Sequence, residues 1–136
     1  MVNLVIVSHS AKLGEGVAEL ANQIVRDGCK IAVAAGIDDT ENPIGTDAVK
    51  IMNAIEAVFS EDGVVVLVDL GSAILSAQTA LELLEPTITE KVVISYAPLV
   101  EGTLAAALAA STGDTLNTVL EEANLAAHLK LEQAYN

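Results

Sequence analysis

Four compact apolar runs, at residues 2–7, 30–35, 64–70 and 91–96, punctuate the chain. None alternates polar with apolar, so each reads as a strand covered on both faces, the environment of a parallel sheet. Helical periodicity fills the intervals at about residues 14–26, 46–60 and 72–85, with Thr46 or Asp47 placed to cap the second of these. Each interval is long enough for the crossover that a parallel pair requires. Beyond the fourth run, "LVEGTLAAALAAS" and "DTLNTVLEEANLAAHLKLEQAYN" predict two further helices. The "STGD" between them lets Gly113 end one and Asp114 or Thr115 begin the next, whose apolar face is Leu116, Val119, Leu120 and Ala123. The pattern predicts an α/β fold of βαβ units, a parallel four-stranded sheet between helices. Residues 1–136 are expected to form a single domain, since this length supports one core and leaves no room for a second.

Composition narrows the chemistry. Hydrophobic residues make up 52% and aromatics only 2%, which implies an aliphatic core and rules out a disordered chain. Six basic residues against 19 acidic ones give a net charge of -13, which repels nucleic acid and anionic membranes and leaves protein as the expected macromolecular partner. Cys29 has no second cysteine to pair with and reads as a small buried thiol. The opening segment has no basic leader, and its apolar run from Leu4 to Val7 is too short for a signal peptide or a membrane span, so a cytoplasmic protein is expected.

Ligands of open α/β sheets bind beyond the carboxyl ends of the strands, so those ends carry the functional reading. The first run ends in Ser8, His9 and Ser10, the second in Gly36, Ile37, Asp38 and Asp39, the third in Asp69, Leu70, Gly71 and Ser72, and the fourth in Ala97 and Pro98. If the sheet order is 2-1-3-4, strands one and three are neighbours whose connections diverge, opening a crevice above His9 and Asp69. A carboxylate beside an imidazole fixes one tautomer and leaves the other nitrogen free to attack or receive a group. For a phosphoryl group on that nitrogen, the helix opening at Gly71, Ser72 and Ala73 offers backbone amides, and Ser8, Ser10 and Ser72 offer hydroxyls. The helix-end field supplies only about 0.3 to 1 kcal/mol when exposed, so oriented donors must carry most of the stabilisation.

Simpler readings stand beside these. His9 can be a satisfied strand-end polar residue, and Asp69 can be the cap of the following helix rather than an imidazole partner. Lys12 either pairs with a phosphate or projects into solvent. Asp38, Asp39 and Glu41 read as a solvated acidic loop, and His128 as a solvent-exposed side chain. A serine hydrolase lacks its G-x-S-x-G elbow here. A flavin-binding module lacks stacking residues, since Phe59, Tyr96 and Tyr135 do not follow strand one or three. A receiver domain lacks the basic residue after a late strand, where this chain has "YAPLVEG".

The segments "VNLVIVSHSAKLGEGVAELA", "AAGIDDTENPIGTDAVKIMNAIE", "VVVLVDLGSAILSAQTALELL" and "APLVEGTLAAALAAS" stand in order across about residues 1–125. Together they resemble the mannose-type IIA domains of the sugar phosphotransferase system, which implies a flavodoxin-like fold, a three-layer αβα sandwich with a four-stranded parallel sheet of order 2-1-3-4. "GIDD…NPIGTDA" is most similar to the branch serving phosphoenolpyruvate-dependent dihydroxyacetone kinases, whereas "VD…GS" and "PLVEGTL" resemble the wider group. The resemblance implies a phosphotransferase in which His9 is the phosphorylated residue, Asp69 its orienting carboxylate, and "LGSA" the phosphate pocket. It implies that the histidine carrier protein charges His9, and that His9 rephosphorylates ADP on the kinase's nucleotide-binding subunit. The resulting ATP then serves the dihydroxyacetone-binding subunit. No metal and no cofactor is called for, the charging partner is expected to be a separate protein, and a homodimer is implied. Within the same resemblance, a sugar-transporter IIA domain passing phosphate to a IIB domain is the nearest alternative.

Overall fold

The computed structural model describes residues 1–135 and contains the expected sheet. Strands β1 (Asn3–Ser8), β2 (Ile31–Ala35), β3 (Val64–Val68) and β4 (Val92–Ser95) are all parallel, in the order β2-β1-β3-β4. Helix α1 (Ala11–Val25) joins β1 to β2, α2 (Ala48–Val58) joins β2 to β3, and α3 (Gly71–Leu83) leads toward β4. A short α4 (Pro86–Thr89) precedes β4; α5 (Leu99–Ser111), α6 (Leu116–Leu125) and α7 (Leu129–Tyr135) follow it. None of these helices is long and apolar enough to cross a membrane.

Successive strand side chains point to opposite faces, and this sorts the core into two layers. Leu4 and Ile6 of β1, with Val65 and Leu67 of β3, pack against Val17 and Ala21 of α1, Ala106 and Ala110 of α5, and Val119 and Ala123 of α6. Val5 and Val7, with Val64, Val66 and Val68, pack against Ile51 and Ile55 of α2 and Ala73, Ala77 and Ala80 of α3. Alanine on the inward faces of α3 and α5 lets both helices lie close to the valine-rich sheet.

Several details depart from the sequence expectation. Full burial holds for β1 and β3, but the first three residues of β2 and the middle two of β4 are only half-buried, because these are the sheet's edges. Helix α1 starts three residues earlier than its periodicity indicates, with Ser10 as its cap. Asp47, rather than Thr46, caps α2, accepting from the Val49 and Lys50 amides. Thr115, rather than Asp114, caps α6, after Gly113 ends the preceding turn at a φ of 88°. The last predicted helix is two helices, α6 and α7, broken by a 3-10 turn at Ala126–His128. The Cys29 thiol is buried as expected, and burial pushes its pKa up.

Candidate phosphoryl-transfer site

The switch between β1 and β3 creates the site. The chain leaves β1 toward β2 with α1 on one face, and α2, on the other face, carries it back past β1 to β3. Val7 is in register with Val68, and the Asp69 amide donates to the Val7 carbonyl, so the residues just after both strands are brought side by side.

Asp69 is the centre of the arrangement, with its side chain 8% exposed. Its Oδ1 accepts from the Leu70 amide at 2.7 Å and lies 2.9 Å from Nδ1 of His9. Its Oδ2 accepts from the Ser8 hydroxyl and from the His9 amide, each at 2.9 Å. Burial pushes this carboxyl upward, but the hydrogen bonds from the His9 amide, the His9 ring, the Ser8 hydroxyl and the Leu70 amide together outweigh it and hold Asp69 below the usual carboxylate range. An ionised carboxylate only accepts, so Nδ1 of His9 carries the proton. Nε2 is thereby left with the lone pair in the neutral ring. It meets the Ser72 hydroxyl at 2.6 Å. The imidazole is 18% exposed, enough for its outer edge to reach a group brought by another molecule.

The surrounding loop is tied to the same point. The Gly45 amide donates to the His9 carbonyl at 2.9 Å, and the Thr46 and Ser76 hydroxyls meet at 2.6 Å, fastening the segment after β2 to α3. Gly36 turns the chain out of β2 at a φ of 70°, where a side chain is disfavoured. Asp39 closes its own turn by accepting from the Glu41 and Asn42 amides, and Asp38 faces Lys50 at 3.4 Å. The acidic loop is exposed, as expected, and also folded.

Of the residues singled out from sequence, His9, Asp69 and Ser72 come together. Asp69 does not cap α3, whose N-cap is Leu70 without a side-chain bond. Ser10 is occupied at α1, its oxygen accepting from the Leu13 amide at 3.2 Å. Ser8 is fully buried and directed at Asp69, so it is not an extra phosphate donor. Gly71 opens α3 on the exposed side, where an added Cβ would meet no protein atom, so the fold itself does not demand glycine there. Ala73 is buried, and its amide already donates to the Leu70 carbonyl at 3.0 Å, which removes it from the free donors at this helix end. Lys12 and His128 are both exposed. The sequence offers Ser8 as a phosphate donor rather than a partner of Asp69, and Thr46 as a helix cap rather than a partner of Ser76, while Gly45 and Ser76 were not singled out at all. The only signal for Ser8 was a polar residue closing an otherwise apolar strand.

Fold and site together define a doubly wound α/β domain that presents an aspartate-held histidine at its switch point. Residues 3–120 match the family described as the PTS system fructose IIA component, and the chain belongs to that family. It is 61% identical over 134 residues to the PEP-dependent dihydroxyacetone kinase phosphoryl donor subunit DhaM of Escherichia coli (strain K12), covering 98% of this chain and 28% of that protein. The chain therefore spans little more than a quarter of that relative's length. A shorter relative, the PEP-dependent dihydroxyacetone kinase 2 phosphoryl donor subunit DhaM of Listeria innocua serovar 6a, is 38% identical over 122 residues, covering 90% of this chain and 96% of its own. Among solved structures, the unknown-function protein EF1359 superposes with a TM-score of 0.75 at 30% identity, covering 91% of this chain and 93% of that one.

Proposed function

We propose that His9 carries a phosphoryl group on Nε2, taking it from the phosphohistidine of the small histidine carrier protein of the phosphoenolpyruvate-dependent system. It then passes the group to ADP held by the nucleotide-binding subunit of a dihydroxyacetone kinase. The observation that carries this reading is the Nδ1 contact with Asp69 at 2.9 Å, which leaves Nε2 as the nucleophile at the partly exposed edge.

In the charging step the Nε2 lone pair attacks phosphorus in line, the bond from phosphorus to the donor's nitrogen breaks, and a new Nε2–P bond forms. Nothing has to be deprotonated, because the ring proton stays on Nδ1. That proton also makes the phosphohistidine transferable. When the phosphoryl group leaves, the departing imidazole is neutral rather than anionic, and Asp69 holds the proton in place throughout. The Ser72 hydroxyl donates to Nε2 in the resting neutral ring and must turn to a phosphoryl oxygen once the group is bound. Gly71 and Ser72 add the first amides of α3, where a helix end favours an anion.

The kinase assignment draws on the printed names of the relatives and on the resemblance of "GIDD…NPIGTDA". The same reading includes a homodimer, tested by whether sedimentation gives twice the chain mass, and a cytoplasmic location. The acceptor is tested by mixing the charged protein with the ADP-loaded nucleotide-binding subunit or with a mannose-type IIB domain. Transfer to ADP with formation of ATP is expected; transfer to the IIB domain alone would overturn the acceptor assignment.

A further inference from the structure

We propose that Ser8 is a positioning residue for the phosphoryl transfer, acting through Asp69 to fix the tautomer of His9; the functional part of this inference rests on the phosphohistidine reading. Ser8 closes β1 with no exposed surface, so no water reaches its hydroxyl. Its oxygen accepts the Ser10 amide at 3.1 Å. Its single proton therefore has one remaining destination, Oδ2 of Asp69 at 2.9 Å, and an ionised carboxylate accepts it.

The consequence for Asp69 is geometric. The terminal torsion of an aspartate is broad and nearly two-fold, so one contact at each oxygen leaves it free to rock. Here both oxygens are held twice, and the Ser8 proton is the only one of the four that comes from neither a backbone amide nor the histidine itself. It holds Oδ2 on the strand side and so keeps Oδ1 turned toward Nδ1. The same hydroxyl joins Asp69 to the start of α1, since the Ser10 amide binds Ser8 while the Ser10 side chain binds Leu13. At metal-bound histidines, outer partners that orient the ring change activity by about 10-fold to 100-fold when removed, and Ser8 is asked for the same orienting role without a metal.

Two variants separate this role from packing. Ser8→Ala removes the donor and its volume, while Ser8→Cys keeps a side chain of similar size but donates weakly. Nitrogen-15 spectra of the imidazole in the resting protein report which ring nitrogen carries the proton, with no partner present. In the wild type the Nδ1–H form should dominate. Both variants should show a mixed tautomer population and a drop of about 10-fold or more in the rate of phosphoryl transfer from the charged histidine carrier protein. A Ser8→Cys variant with the wild-type tautomer and rate would overturn the proposal, whatever Ser8→Ala does. Should wild-type His9 accept no phosphate, the functional reading fails on its own, and the nitrogen spectra still decide what Ser8 does to the ring.

Discussion

Asp69 takes hydrogen bonds at both oxygens, and Asp69→Asn tests what that means for His9. An amide has one accepting and one donating end, so the substituted side chain can present an N–H to Nδ1 and favour the wrong tautomer. Transfer to His9 should fall steeply while the fold survives, toward the roughly 10,000-fold loss seen when a catalytic histidine's orienting carboxylate becomes an amide. Phosphorylation kinetics alongside a thermal melt check both halves. The pH dependence has a definite sign. Because the folded pKa of Asp69 lies below its unfolded value, its stabilisation is fully present above the ordinary carboxylate range and is lost as pH falls through the folded pKa. Histidine-detected NMR should accordingly find the Nδ1–H hydrogen bond intact through neutral pH and broken only in acid below that range. Ser72→Ala removes one hydroxyl from Nε2 but leaves the α3 amides, so a loss of no more than about 100-fold, smaller than for Asp69→Asn, is expected, with the phosphate still on His9; the test is rapid-quench transfer followed by peptide mapping. The pairing of His9 with Asp69 was legible because strand order alone makes neighbours of their strand ends. The work of Ser8 was not, since the direction of a hydroxyl proton depends on its rotamer and on which other donors have already taken its oxygen.

At the scale of elements, helix type and order were readable from periodicity, whereas ends and edges were not. The start of α1 at Ala11 depends on the Ser10 cap, a three-residue contact weaker in the sequence than the apolar stripe that begins later. The half-burial of β2 and β4 follows from their place at the sheet edges, which runs of Val, Ile and Ala do not encode. The break between α6 and α7 at the 3-10 turn has no proline or glycine to announce it. Close approach of α1 to the sheet depends on Gly14. A Cβ there would come within 2.8 Å of both the Ala35 Cβ and the Val33 Cγ1, and 3.6 Å from the Ser8 Cβ. Gly14→Ala should therefore push α1 off β2, costing about 1 to 3 kcal/mol by denaturant unfolding, as overpacking does. Unfolding at the wild-type midpoint would show that α1 yields more easily than the contact implies.

At the scale of the whole molecule, a net charge of -13 favours encounter with positively charged protein surfaces over negatively charged ones. Raising salt from about 0.05 to 0.5 M shortens the screening length several-fold, so the second-order rate of transfer to and from partner proteins should fall steeply. The first-order stability of the phosphohistidine should stay nearly constant, because its donors lie within the site. Stopped-flow transfer and phosphate-loss rates across that salt range separate the two. The layered α/β architecture was legible, because continuous apolar runs joined by helices admit few other arrangements, whereas the sheet order came with the family resemblance.

The central claim is that Nε2 of His9 is the phosphoryl carrier. Its most direct test is peptide mapping by mass spectrometry after incubation with phosphoenolpyruvate, enzyme I and the histidine carrier protein. One acid-labile phosphate, located on His9 and absent from His9→Ala, is the expected result. A phosphate that resists acid, maps to another residue, or survives in His9→Ala would contradict the account.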